Sequence, residues 1–144
     1  MSVATEPLAG NAAVHKPAPS VVAVGVGVFA ALQLLTGLFM AVAPHAFFKH
    51  IGPFGNINVH YLRDLATFYI ADGVALAVAV RRLSWRVPVL ALTTVQFALH
   101  SVNHLVDIDR AHPAWTGYFN FISLAAGTLL LAWLWRAAAA EARA

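Results

Sequence analysis

The feature that most constrains the fold is a set of four apolar segments, each about as long as a helix that spans a bilayer. They cover residues about 21–43, 61–80, 85–105 and 115–135. An α-helix needs about 20 apolar residues to cross the hydrocarbon core. A membrane barrel would instead show alternating segments of about 10 residues, which this sequence lacks. The pattern predicts an all-α polytopic membrane protein with four transmembrane helices in an antiparallel bundle.

The composition agrees with a membrane chain. Of 144 residues, 60% are hydrophobic and 10% are charged, whereas soluble domains are about half apolar and about a quarter charged. A bilayer removes the need to bury so much apolar surface inside a short chain. The absence of cysteine excludes disulfides, thiolate metal sites and cysteine nucleophiles. No basic cluster resembles a nucleic-acid patch, so the expected partner is the lipid bilayer and not nucleic acid.

The four segments define one domain, residues 20–137, between two tails. Residues 1–19 are polar and rich in proline, which predicts a disordered tail. Residues 138–144 form the second tail. The sequence Ala41-Val42-Ala43 resembles a signal-peptidase site. The apolar stretch before it is longer than the roughly 7–15 residues of a signal peptide, so we expect the first segment to remain as a helix.

Lysine and arginine predict the orientation. Six of the nine basic residues fall on one side of the predicted spans: Lys16, Arg81, Arg82, Arg86, Arg136 and Arg143. The other side holds Lys49, Arg63 and Arg110. Short loops rich in lysine and arginine stay in the cytoplasm. The 81–86 link, which joins the second and third segments, and both termini are therefore predicted to be cytoplasmic.

Histidine and aspartate collect near the outer ends of the second and third segments. One face of the second segment carries His60, Arg63 and Asp64. One stripe of the third segment carries Gln96, His100, Asn103, His104 and Asp107. The short 81–86 link makes the two segments antiparallel neighbours, so both stripes are predicted to meet at one depth. Ionisable groups in membrane helices face the interior and find partners there.

Paired histidines with carboxylates are a donor set for zinc, copper or iron. The sequence therefore predicts a metal site formed by His60, Asp64, His100, His104 and Asp107. A b-type haem held by His60 and His104 is an alternative. A second alternative is a structural network in which Arg63 pairs with Asp64 or Asp107.

Asp72 lies in the apolar part of the second segment, about 12 Å deeper than Asp64 by helical rise. Its nearest partners by level are predicted to be Thr93, Thr94 and Gln96. It is either a hydrogen-bonded core carboxylate or a group that binds a ligand or proton. The polar network predicted beside the metal site comprises Arg63, Asp72, Gln96 and Asn103.

The first segment contains Leu35-Thr36-Gly37-Leu38-Phe39 and runs into Pro44 and Phe47-Phe48, and the second segment begins with Arg63. In these features and in its four-segment layout the chain resembles the DoxX-like group of small bacterial membrane proteins. The resemblance implies a four-helix fold in the bacterial inner membrane. Some members of the group have respiratory or redox partners.

The expected function is a non-catalytic or accessory membrane protein whose outer pocket binds a metal or small ligand. One alternative is a membrane redox enzyme or electron carrier that holds metal or haem there, and another is a structural subunit of a larger complex. A carboxylate di-iron centre is excluded because no glutamate lies in the four segments. Transport by four helices would need an oligomer, which makes a second copy or another membrane protein a predicted partner.

Overall fold

The computed structural model describes residues 20–143, so the predicted tail at residues 1–19 lies outside the described part. The helices are α1 (Val21–Val42), α2 (Pro44–His50), α3 (Val59–Arg81), α4 (Leu83–Val106) and α5 (Trp115–Glu141). A 3-10 turn, Ile108–Arg110, follows α4. The described residues contain no β-strand, and the prediction of an all-α chain is confirmed.

Three of the described helices, α1, α4 and α5, are long and apolar enough to cross a membrane, judged by length and composition. They indicate a membrane protein. Helix α3 is equally long but is not among these three. It carries four charged residues, Arg63, Asp64, Asp72 and Arg81, which lower its apolar character.

Local chemistry fixes where the helices begin. Ser20 caps α1 because its hydroxyl accepts a hydrogen bond of 3.2 Å from the Ala23 N–H. Asn58 caps α3 in the same way, through a 3.2 Å bond from the Tyr61 N–H. Pro44 separates α1 from α2, since it has no N–H to continue the first helix and suits the first position of the next.

The junction of α3 and α4 corrects the predicted 81–86 link. Arg82 alone joins the helices and is the N-cap residue of α4, so the predicted start of that helix at residue 85 is too late. Arg86 lies inside α4 and is buried. Its guanidinium donates to the carbonyls of Ala79 and Val80, both at 3.2 Å, and to Glu141 at 2.9 Å. Arg86 is therefore a structural cation and not a loop charge.

Helix α5 extends past its predicted end at residue 135 to Glu141, into the predicted tail 138–144. Glu141 is the carboxylate that pairs with Arg86, at 2.9 Å. Helix propensity also favours the extension, because Ala137 to Ala140 are four successive alanines. The start of α4 and the end of α5, which the sequence placed wrongly, are thus held together by one ion pair.

Packing pairs α1 with α3 and α4 with α5, and α3 also contacts α4. The core consists of buried apolar side chains from all four long helices, among them Val26, Phe29, Leu76, Leu90, Phe97 and Leu131. The rings of Phe29 and Phe97 meet edge to face with centroids 5.7 Å apart, which connects α1 to α4. The α1–α3 approach is close, since a Cβ atom on Gly73 would lie 2.9 Å from the backbone nitrogen of Leu34.

Candidate functional site

A cavity of about 380 Å³ lies among α1 to α5 at the end of the molecule that carries α2. Most of its wall is apolar and includes Leu32, Phe47, Phe54, Leu65, Phe97 and Leu124. The polar part of the wall includes Gln33, Thr36, Tyr69, His100, His104 and Asn120. Small-molecule sites in proteins have volumes of about 300–1,000 Å³ and combine these two kinds of surface. The cavity therefore has the size and lining of a ligand site.

The segment after α1 closes one side of the cavity. Phe47 of α2 packs edge to face on Phe39, with ring centroids 5.8 Å apart. The loop after α2 is held from α5, where the Asn120 amide donates to the carbonyl of Ile51 at 2.8 Å. It is also held from the α4–α5 link, where the His112 N–H donates to the Pro53 carbonyl at 3.2 Å. These bonds position Phe54 against the ring of His104, centroid to centroid 4.8 Å.

The polar wall centres on two histidines of α4. His100 and His104 lie one helical turn apart, and their Nε2 atoms are 3.0 Å apart. The other ring nitrogen of His100, Nδ1, lies 3.1 Å from the Tyr69 hydroxyl on α3. Tyr69 was not among the predicted site residues. Its position three residues before Asp72 is the signal that could have placed it on the polar face of α3.

Asp72 is held by hydrogen bonds directly beneath this wall. Its carboxylate accepts from the Gln33 amide at 2.7 Å and from the Thr93 hydroxyl at 2.8 Å. The predicted contact with Thr93 is confirmed, whereas Thr94 donates to the carbonyl of Leu90 instead. Sequence reasoning missed Gln33, although a lone amide side chain in an apolar segment was a usable signal.

The remaining predicted site residues lie outside the cavity wall. His60 and Asp64 form a pair 3.3 Å apart whose side chains are 78% and 57% exposed. Asp107 pairs with Arg110 at 3.3 Å. Arg63 donates to the carbonyl of Ala41 at 3.4 Å instead of pairing with a carboxylate.

Two further members of the predicted polar network differ from each other. Asn103 is exposed. Gln96 points inward, and its Oε1 atom is buried without a hydrogen-bond partner in the described part of the chain. Its amide lies beside the Tyr69 hydroxyl. Gln96 therefore lies beside Tyr69 of the polar wall without lining the cavity itself, and Asn103 lies outside both.

The structure thus brings four of the five predicted metal ligands together as two pairs, His60 with Asp64 and His100 with His104. Across residues 20–143, no three histidine, aspartate or glutamate side chains are placed to hold one metal ion. The five-residue metal site and the haem held by His60 and His104 stay predictions. Within that set, only His100 and His104 lie in the cavity wall.

No protein-family model matches the chain, and comparison with curated proteins and with solved structures found no match. The resemblance to DoxX-like proteins therefore stays a prediction. Function has to be inferred from the cavity, its polar wall and the charges around them.

Proposed function

We propose that this chain is a non-catalytic inner-membrane protein that binds a small, mainly apolar ligand in the cavity. The observation that carries the proposal is the cavity itself, about 380 Å³ of space lined by aromatic and aliphatic side chains with one polar wall. The apolar walls bury the apolar surface of a ligand, which favours binding without fixing the ligand's orientation. A few convergent polar groups then fix the orientation of the ligand.

The wall also restricts the chemistry of the ligand. The described wall contains no lysine, arginine, aspartate or glutamate, so it offers no charge to pair with an ion. It does offer hydrogen-bond donors and acceptors in Tyr69, His100, His104 and Asn120. An apolar body with a hydroxyl or carbonyl group at one end fits both halves of this wall. Such molecules partition into membranes, which gives them access to the site.

Four transmembrane helices in an antiparallel bundle form part of the same proposal, with α3 as the fourth span. The charge of Asp72 opposes insertion of α3. The hydrogen bonds from Gln33 and Thr93 satisfy that carboxylate within the protein. Arg63 and Asp64 lie near the start of the helix, where a charge is tolerated.

An even number of spans places both termini on one side of the membrane, and Arg81 and Arg82 favour the cytoplasm for the α3–α4 junction. The cavity then faces outward.

Retention of a ligand tests the proposal. The protein is extracted in mild detergent and its bound small molecules are measured by native mass spectrometry. Thr36→Trp places a large ring in the cavity, whereas Leu38→Trp places the same ring on an exposed position of the same helix. We expect an adduct in the wild type and in Leu38→Trp but not in Thr36→Trp. An adduct retained equally in both variants would place the ligand elsewhere and overturn the proposal.

A second candidate function is metal binding by His100 and His104 alone. Two nitrogen ligands at right angles, each about 2.1 Å from one ion, are about 3.0 Å apart. The two Nε2 atoms have that separation, 3.0 Å. Ligating histidines also donate their other N–H to a polar neighbour, and Tyr69 stands 3.1 Å from Nδ1 of His100. Zinc, copper and iron all accept imidazole ligands.

Metal content measured by mass spectrometry separates this pair from the five-residue site. Protein is purified without chelator and reloaded with zinc, copper or iron. If the pair binds the ion, His100→Ala/His104→Ala loses near-stoichiometric metal while His60→Ala/Asp64→Ala keeps it. Loss in both double variants would support the five-residue site, and absence of metal from the wild type would rule out both.

A further inference from the structure

A second recess lies between α1 and α3, at the opposite end of the molecule from the histidine cavity and sharing no residue with it. It measures about 440 Å³ and is lined by Leu34, Val74, Ala77, Val78, Arg81 and Arg82. Val74 and Ala77 are exposed, so the recess opens on the outer surface of the helices. With α3 as the fourth span, on which this inference rests as part of the proposed function, this surface faces lipid.

The recess is polar at one end only. From Val74 to Arg81, α3 rises about 10 Å along its axis. Over that length the lining is aliphatic, and it ends at two adjacent guanidinium groups. Both arginines are exposed, and neither forms a salt bridge with a carboxylate in the described part of the chain. By contrast, the neighbouring Arg86 is fully engaged with Glu141 and backbone carbonyls.

We propose that this groove, the α1–α3 groove, binds one anionic phospholipid. An acyl chain lies along Leu34, Val74 and Val78, and the lipid phosphate contacts Arg81 and Arg82. The planar guanidinium matches phosphate oxygens through paired hydrogen bonds. Basic pockets between helices at the cytoplasmic boundary have this preference for anionic headgroups. An aliphatic slot that ends in two unpaired cations complements the shape and the charge of such a lipid.

Lipid competition measured by native mass spectrometry tests the groove. Detergent-solubilised protein receives equal amounts of phosphatidylglycerol and phosphatidylcholine with identical acyl chains. We expect phosphatidylglycerol to bind the wild type about tenfold or more in excess, from roughly one charge interaction per arginine. Arg81→Gln/Arg82→Gln should abolish the excess. Arg136→Gln/Arg143→Gln removes the same charge from exposed arginines outside the groove and should leave the excess unchanged.

Two further arms distinguish other occupants. Ala77→Trp fills the slot and leaves both arginines in place, so it should also abolish phosphatidylglycerol binding. If binding survives that change, or is displaced by millimolar inorganic phosphate, the site takes only a phosphate group and the lipid proposal fails. If both double arginine variants lose the phosphatidylglycerol excess equally, the preference comes from the net charge of the protein and the groove is not the binding site. A wild-type dimer that Ala77→Trp dissociates, with no lipid bound, would make the groove an interface between copies.

Discussion

At the scale of single residues, Asp72 is a half-buried carboxylate in an otherwise apolar stretch of α3. It lies in the apolar middle of α3, and its two oxygens accept hydrogen bonds from Gln33 and Thr93, on the helices at either side. None of the salt bridges in the described residues involves it. A half-buried carboxylate without a cation in an apolar helix depends on its hydrogen-bond donors. The donor from α1 can be removed without a large change in volume.

Gln33→Leu should therefore lower the free energy of unfolding by about 1–3 kcal/mol, because one carboxylate oxygen loses its partner in an apolar setting. The double variant Gln33→Leu/Asp72→Leu removes both polar partners and should be more stable than Gln33→Leu alone. Unfolding in detergent, followed by circular dichroism, measures both. A double variant less stable than the single one would show that Asp72 does not depend on Gln33.

The bonds from Tyr69 to His100 and from His100 to His104 allow two neutral proton arrangements. If Tyr69 donates to His100, the proton on Nδ1 of His104 has no acceptor, since that atom is buried without a partner in the described residues. In the reverse arrangement His104 donates to His100 and His100 donates to Tyr69. Nδ1 of His104 is then an unpaired acceptor and not an unpaired donor. Unpaired buried N–H groups are rarer than under-satisfied acceptors, so the reverse arrangement is favoured.

In metal-free, neutral protein, we accordingly expect the Nδ1–H tautomer at His100 and the Nε2–H tautomer at His104. Nitrogen-15 NMR of labelled histidine reads the two forms directly. Tyr69→Phe removes the acceptor for His100, so it should shift the His100 signals and leave the exposed His60 unchanged. The Nε2–H form at His100 would contradict this arrangement.

At the scale of helices, α1 and α3 pack closely because glycine faces the partner backbone. A Cβ atom on Gly73 would lie 2.7 Å from the Leu34 side chain and 2.9 Å from its backbone nitrogen. On Gly27 it would meet only Val80, at 3.8 Å. Small residues that let backbones approach are a main source of helix association in membranes.

Gly73→Val should separate α1 from α3 and destabilise the fold by about 1–3 kcal/mol or more. Gly27→Val is the matched control, since it makes the same change inside a neighbouring helix where there is space. It should alter stability by less than about 1 kcal/mol. Thermal unfolding in one detergent compares the two, and equal losses would show that the close approach at Gly73 does not set the effect, since helix propensity alone favours valine over glycine at both positions.

The helices also show which information the sequence carries. Apolar length is a local property, so the sequence predicted all four long helices and the starts of α1 and α5. The end of α5 depends on Arg86 and Glu141, 55 residues apart, and that contact could not be predicted from either segment alone. The i, i+4 pairs His60–Asp64 and His100–His104 were likewise local. Whether the two pairs share a site depends on helix rotation, which close packing at Gly73 helps to set.

At the scale of the whole molecule, polar groups separate into two ends with different chemistry. One end holds the uncharged cavity with His100, His104 and Tyr69. The other holds the Arg86–Glu141 pair and the free arginines of the α1–α3 groove. Of the eight lysines and arginines among the described residues, five lie at this second end and three at the cavity end. The excess favours one direction of insertion, because translocation of short basic segments is disfavoured.

The status of α3 decides this arrangement, because it is the one long helix whose charges weaken its membrane signal. If the Asp72 carboxylate is satisfied by hydrogen bonds within the bundle, α3 crosses the membrane and its two ends lie on opposite sides. Alkaline phosphatase fused after Gly55 or Asp109 should then be active, and inactive after Arg82. β-Galactosidase at the same positions should give the reverse pattern. Equal activities at Gly55 and Arg82 would show that α3 does not cross. Activity at Arg82 with inactivity at both other positions would preserve four spans and invert the protein, turning the cavity toward the cytoplasm.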